Sequence, residues 1–337
     1  MNSSRNEGCT LTGALSVTTA ITDGITIIHG PDGCAHHNSS LLHALQVDSD
    51  RLFAPDILST SLSETEVIFG GEKALEETIR QAAVCEPGVL CVLTSCVSAA
   101  IGDDVQAVCR DFSHLPIVVV PTEGFLGGGF SQGVEHALIA LSDLGETGEQ
   151  NGRVTLIGEK NLEYEVEANY LEISRLLSLL GISIDLRFVR NIPAAAVRNL
   201  GSASLNILRD PSLIRVGNAL ESHFGTPFVP AFPVGLEGTR VFLETVGRIL
   251  GIDSKWAVSA EQKNQNRLIE SFHNIRGMVL SSGTNTHPIP SLFEELQQIF
   301  DLSFDSRGKT VPIPDPLPVG TSGLSRLLHR WRRICRE

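Results

Sequence analysis

The chain has 337 residues, enough for two or three domains with sizeable cores. Hydrophobic residues make up 42%, charged residues only 19%, and the net charge is −13, so a nucleic-acid partner is not expected. No apolar run approaches the ~18 residues of a membrane span, and the N-terminus MNSSRNEGC lacks an apolar leader core. The expected setting is therefore cytoplasmic, with no membrane and with reduced thiols. The low charged fraction fits a surface partly covered by a partner.

Apolar runs alternate with amphipathic stretches along the whole chain. Strands are predicted at 25–29, 89–94, 117–121, 154–158, 184–189, 204–208, 228–230 and 278–281. Helices are predicted at 73–85, 103–112, 133–143, 167–180, 212–224, 239–250 and 261–274. Such alternation predicts an α/β fold with parallel sheets covered by helices on both faces. The polar stretch GETGEQNGR (145–153) reads as a linker, and a weaker break falls near 251–255. The expected domains are 1–147, 151–254 and a reduced third domain with a C-terminal helix over 255–337. The basic end HRWRRICRE reads as a cationic last helical turn.

Seven cysteines in a reducing compartment need an explanation other than disulfides, and no CxxC pair supports a zinc ribbon or thioredoxin-type site. Cys85, Cys91, Cys109 and Cys335 read as ordinary small buried residues, with Cys85 on an apolar helix face. Cys9, Cys34 and Cys96 differ. Cys9 sits in EGCTLTGAL, Cys34 in HGPDGCAHH and Cys96 in LTSCVSAAIGDD, and the last two follow predicted strands. Thiols at strand ends converge on one edge of a sheet, where α/β domains hold a ligand or cluster. Gly30, Pro31 and Gly33 make a tight turn around Cys34 with little side-chain crowding. Its backbone N–H groups could stabilise a negatively charged iron–sulfur cluster. His36 and His37 either tune a neighbouring sulfur or face the helix that starts there. Asp103 and Asp104 read as first-turn helix carboxylates, as does Glu237. GGGF (127–130) lacks dinucleotide-loop spacing. RGKT (307–310) ends like a phosphate loop, but Ser303 stands where its first glycine belongs.

The set CTLTGAL, IIHGPDGCAHH, VIFGGEKAL and LTSCVSAAIGDD resembles the component 1 proteins of nitrogenase and their relatives, in order and near-family spacing. The resemblance continues through LIRVGNALESHFGTPFVPAFPVGLEGTRVFLETVGRILG; it covers 8–255 well and the remainder poorly. It implies two doubly wound, Rossmann-like domains plus a reduced third. It also implies that Cys9, Cys34 and Cys96 hold an electron-relay iron–sulfur cluster, 4Fe-4S in the two-component reductases, with Gly30, Gly33 and His36 around it. Three cysteines leave such a cube one ligand short, so a homo- or heterodimer partner of the same family is expected to complete it. A separate P-loop ATPase iron protein is expected to deliver electrons.

The departures from the nitrogenase pattern are as informative. Positions 200–235 contain no cysteine, and KTVPIPDPLPVG (309–320) contains no histidine, so no nitrogenase-type active-site metallocluster is expected. His287, in SGTNTHPIP, lies in unmatched surroundings and reads as structural or solvent-facing. The resemblance thus implies an anaerobic oxidoreductase subunit passing electrons directly to a conjugated acceptor, most like the nickel-sirohydrochlorin a,c-diamide reductive cyclase component or a dark protochlorophyllide reductase. A scaffold for metallocluster assembly and a thioether or other small-molecule reductase are the alternatives.

Overall fold

The structure is a computed structural model and describes residues 8–48, 55–163, 165–281, 291–314 and 316–336. His287 therefore lies outside the described residues. The chain opens with α1 (Thr10–Thr18), β1 (Gly24–His29), α2 (Asp32–Asp48), β2 (Asp56–Ser59), α3 (Glu64–Phe69) and α4 (Glu72–Ala83). It continues through β3 (Val89–Thr94), α5 (Cys96–Ile101), α6 (Val105–Asp111), β4 (Ile117–Val120) and α7 (Phe130–Ser142). These form a parallel four-stranded sheet of order β2-β1-β3-β4.

A second series follows: β5 (Val154–Ile157), α8 (Val166–Ser178), β6 (Ile184–Phe188), α9 (Ala194–Val197), β7 (Leu205–Leu208), α10 (Ile214–Phe224) and β8 (Phe228–Val229). Its sheet repeats the order, β6-β5-β7-β8. The last part holds α11 (Gly235–Leu250), α12 (Lys255–Ser271), β9 (Val279–Ser281), α13 (Ser291–Phe300), β10 (Ser303–Phe304), β11 (Lys309–Thr310) and α14 (Gly320–Arg336). Its three short strands pair in parallel, in the order β10-β9-β11. The α/β architecture with two doubly wound sheets and a reduced third is the one expected.

Two compact units emerge. One contains both four-stranded sheets; the other gathers α8 with everything from Ala231 onward. In the first unit, alternation along β3 sends Val89, Cys91 and Leu93 to one core and Leu90 and Val92 to another. The first core also takes in Leu15, Ile28, Leu138, Phe188, Leu208 and Leu220. The second lies under α4 and α6, with Leu75, Ile79 and Phe112. Both faces of the first sheet are therefore dry, which explains its unbroken Val/Ile/Leu runs. The second unit centres on Phe293, Phe300, Leu324, Leu328 and Trp331.

Helix α1 and strand β2 are among the elements that the sequence did not predict. Helix α1 is buried at all nine positions, so it shows no contrast between an apolar and a polar face. Strand β2 is four residues long and opens on an exposed Asp56. RGKT is not a phosphate loop, in line with Ser303 at its first glycine position: Lys309 and Thr310 form β11 and pair with Leu280 and Ser281.

Candidate functional site

In an order of 2-1-3-4, the topological switch point lies between the first and third strands, and ligands bind outside their carboxyl ends. In the first sheet those strands are β1 and β3. The chain leaves β1 through Gly30 to Gly33 and reaches Cys34 as the third residue of α2. It leaves β3 at Thr94 and reaches Cys96 as the first residue of α5. Two of the three singled-out thiols thus follow neighbouring strands at the switch point.

Cys9 arrives by a different route. It caps α1 and makes an antiparallel bridge with Gly129, in the loop between β4 and α7. A Cβ on Gly13 would collide with the carbonyl of Phe130, and one on Gly133 with the carbonyl of Thr10. The two glycines let α1 and α7 cross backbone to backbone, which fixes where Cys9 emerges. Thr10 donates to the carbonyls of Thr122 and Gly124, the latter at 2.6 Å. Gly124, at φ +53°, sits against the backbone and Cβ of Cys96. Thr94 Oγ1 holds the same loop by accepting from the N–H groups of Thr122 and Glu123, at 3.2 and 3.1 Å.

Cys9 and Cys96 both lie close enough to Cys34 to act on its thiol. Burial pushes the Cys34 thiol up, and negative charge on Cys96 and Cys9 adds to the shift. All seven cysteines are free. Among the described residues no three His, Cys, Asp or Glu side chains form a cage for a single metal ion. A cluster poses a different requirement, because each thiolate binds a different iron. Three free thiols at one sheet edge are a donor set of that kind. A Cβ added at Gly33 would meet nothing within 4 Å, so there is open space beside Cys34. Gly30 is the opposite case, since a Cβ there would strike the Ser95 side chain.

His36 and His37 are exposed on α2. Cys91 and Cys109 are buried, as expected, and burial pushes their thiols up to about 12 and about 11. Cys335 is half-buried. Cys85 corrects the sequence reading. It is exposed, because α4 ends at Ala83 and Glu86 turns the chain with φ +48°. Glu237 lies in the first turn of α11, as expected.

Asp103 is a second correction. Asp104 caps α6 and accepts from Ala107 N–H at 2.9 Å, but Asp103 lies before the helix with its side chain buried. Its Oδ2 is 2.9 Å from His29 Nε2 and its Oδ1 accepts from Gly71 N–H at 3.0 Å. The other ring nitrogen of His29 is 3.1 Å from Thr60 Oγ1, which accepts from Gly30 N–H at 3.0 Å. Burial lowers the His29 pKa and outweighs the carboxylate of Asp103. The neutral ring satisfies every partner. Nε2–H donates to Asp103 and Nδ1 accepts from Thr60, whose oxygen accepts from Gly30. Sequence reasoning missed this group, although His29 and Asp103 both stand inside the singled-out motifs.

Two segments tied to these residues expose apolar side chains. Val67, Ile68 and Phe69 at the end of α3 are exposed, Phe69 at 83%. Phe125 and Leu126, in the loop that touches Cys96, are exposed at 79% and 65%. At the second switch point, between β5 and β7, the charges are paired. Lys160 is 2.7 Å from Asp210, and Arg209 is 3.1 Å from Glu163. Burial there pushes the Glu163 carboxyl up.

The family profile for nitrogenase component 1 type oxidoreductases matches residues 9–297. The chain belongs to this family. It is 30% identical over 274 residues to the nitrogenase iron-molybdenum cofactor biosynthesis protein NifE of Clostridium pasteurianum, covering 77% of this chain and 59% of that protein. It is 28% identical over 319 residues to a nitrogenase molybdenum-iron protein alpha chain of Methanothermobacter marburgensis, covering 86% and 66%. Among solved structures, a chain of nitrogenase Cp1 at pH 5 matches with a TM-score of 0.66 and 20% identity, covering 88% of this chain and 63% of that one. The chain thus spans about three fifths of the length of the NifE protein of Clostridium pasteurianum. No helix among the described residues is long and apolar enough to cross a membrane.

Proposed function

We propose that this chain is the electron-accepting, cluster-bearing subunit of an ATP-dependent two-component reductase, with Cys9, Cys34 and Cys96 as its cluster ligands. The observation that carries the reading is the convergence of three free thiols on one sheet edge. Cys34 and Cys96 leave the two switch-point strands, and Cys9 is tied to the loop that touches Cys96.

A 4Fe-4S cluster held there would supply a one-electron site. The chain's own work is to bring buried Cys9 together with the half-buried Cys34 and Cys96, keep the Cys34 turn open at Gly33, and offer apolar surfaces for partners. Val67, Ile68 and Phe69 form an apolar face suited to a docking iron protein. Phe125 and Leu126 suit a second subunit that completes the cluster. The one-electron site would serve an electron acceptor bound to the chain. The absence of cysteine from 200–235 and of histidine from 309–320 favours direct transfer to a conjugated tetrapyrrole. A second reading, a scaffold on which a metallocluster is built, is supported by the NifE proteins among the chain's relatives.

The test is anaerobic purification with iron and acid-labile sulfide analysis. The expected product is brown, loses iron in Cys34→Ala and keeps it in Cys85→Ala. Equal iron in all three proteins would overturn the ligand assignment. Turnover with an iron protein and ATP then separates the roles. Tetrapyrrole reduction supports the reductase, and release of a metal–sulfur cluster to an acceptor protein supports the scaffold.

A further inference from the structure

The buried group around His29 joins two surfaces of the proposed site. At one end, Asp103 Oδ1 holds the N–H of Gly71, two residues beyond the exposed Phe69. Gly70 takes φ +97°, and a Cβ on Gly71 would run into Leu62, the Asp103 carboxylate and the His29 ring. At the other end, Thr60 Oγ1 holds the N–H of Gly30, which opens the Cys34 turn. Gly30 also abuts Ser95, the cap residue directly before Cys96, and Ser95 N–H donates to His29 O at 3.0 Å. Between the ends run His29, fully buried, and Asp103, its side chain 3% exposed.

We propose that Gly71, Asp103, His29, Thr60 and Gly30 form a rigid hydrogen-bonded relay that couples contact on the Phe69 turn to the geometry of the Cys34 and Cys96 turns. His29, Asp103 and Thr60 are positioning residues, since none of them is a proposed ligand. Every donor in the chain is engaged, with the Thr60 hydroxyl facing both His29 Nδ1 at 3.1 Å and the Gly30 carbonyl at 3.4 Å, and burial removes water as a substitute partner. A displacement of the Gly70–Gly71 turn therefore cannot be absorbed locally. The relay rests on the reading of this face as a cluster site with a docking partner.

The test has two arms. The first needs neither cluster nor partner. In the reduced apo chain, iodoacetamide labelling of each cysteine is followed by peptide mass spectrometry, with exposed Cys85 as reference and buried Cys91 as a fold reporter. Thr60→Val keeps the shape and removes the hydroxyl; Thr60→Ser keeps the hydroxyl. Thr60→Val is expected to speed labelling of Cys34 and Cys96 relative to Cys85 by about fivefold, the weight of one lost buried hydrogen bond. Thr60→Ser should stay near wild type, and Cys91 should remain protected in both. Unchanged Cys34 and Cys96 rates, or parallel exposure of Cys91, would overturn the coupling.

The second arm uses the cluster-loaded chain and an iron protein with nucleotide. Binding to the wild type is expected to shift the cluster's midpoint potential. Asp103→Asn is expected to bind with similar affinity and lose the shift. A full shift in Asp103→Asn sinks the relay while leaving the docking reading intact. A wild type that never binds the iron protein sinks the docking reading, and the labelling arm still decides whether the turns are coupled.

Discussion

At the scale of single residues, seven cysteines sort by environment rather than by type. A thiol reacts as thiolate, so exposure and acidity together set its rate. Cys85 is exposed and should label within minutes in the native chain. Cys91 and Cys109, raised by burial to about 12 and about 11, should label only when the chain unfolds. Labelling with and without denaturant checks this, and rapid native labelling of Cys91 would contradict its placement in β3. The sequence showed the setting of Cys9, Cys34 and Cys96 because glycines and strand ends are local signals. It misplaced Cys85 by carrying a helical period two residues past the end of α4. It could not show His29 or Asp103, because their meaning lies in contacts 31 and 74 residues away along the chain. In the linear sequence one reads as the last residue of a strand and the other as the first turn of a helix.

At the scale of elements, two glycines that look alike in sequence have opposite roles. Gly133 meets the backbone of α1, whereas Gly238, inside α11, has no heavy atom within 4 Å of an added Cβ. Gly133→Ala should cost about 1–3 kcal/mol through overpacking and should shift the start of α1 with Cys9. Gly238→Ala should instead gain about 0.4–1 kcal/mol by restricting the unfolded chain. Urea titrations of both variants settle the signs.

Helix α14 offers a second case. Glu172 of α8 accepts from Ser322 N–H at 3.0 Å and from Arg175, which also pairs with Glu261. Burial pushes the Glu172 carboxyl up, but the hydrogen bonds from Arg175 and Ser322 prevail and hold it below 4.5. The unfolded state therefore takes the proton first, so this stabilisation is complete above pH 4.5 and fades as pH falls through the folded value. Glu172→Gln should cost about 2 kcal/mol at pH 7. The difference from wild type should narrow in denaturation measured near pH 3. A constant difference would mean that the carboxylate charge plays no part. Both helices show the limit of periodicity. α1 is buried all round, its hydroxyl residues Thr10, Thr12, Ser16 and Thr18 included, and α14 is tied to a carboxylate 150 residues away.

At the scale of the whole molecule, the parallel α/β plan was legible because strand–helix alternation is a chain-long pattern, while of the third sheet only β9 was, its partners being two residues long. The same scale decides energy coupling. A phosphate loop needs a glycine-rich turn whose N–H groups wrap the phosphates, followed by Lys and Ser/Thr at the start of a helix. Here Ser303 lies in β10, Lys309 and Thr310 lie in β11, and the Cα of Gly308 is pressed against the backbone of Leu280. Lys309 Nζ is turned to the carbonyls of Ile334 and Cys335, at 3.3 Å each. Two of the three N–H donors of this lysine are thus directed at the end of α14, and no glycine-rich turn or helix start accompanies it to wrap a phosphate chain. The isolated chain should therefore hydrolyse no ATP, and substrate reduction should appear only when a P-loop iron protein is added with nucleotide. Phosphate release measured on the purified chain, before and after removal of contaminating ATPases by gel filtration, tests the first half. ATP-independent turnover with a simple ferredoxin would refute the second, because a thiol-ligated cluster beside the apolar Phe69 turn would then need only an electron, and no nucleotide-driven docking on that face.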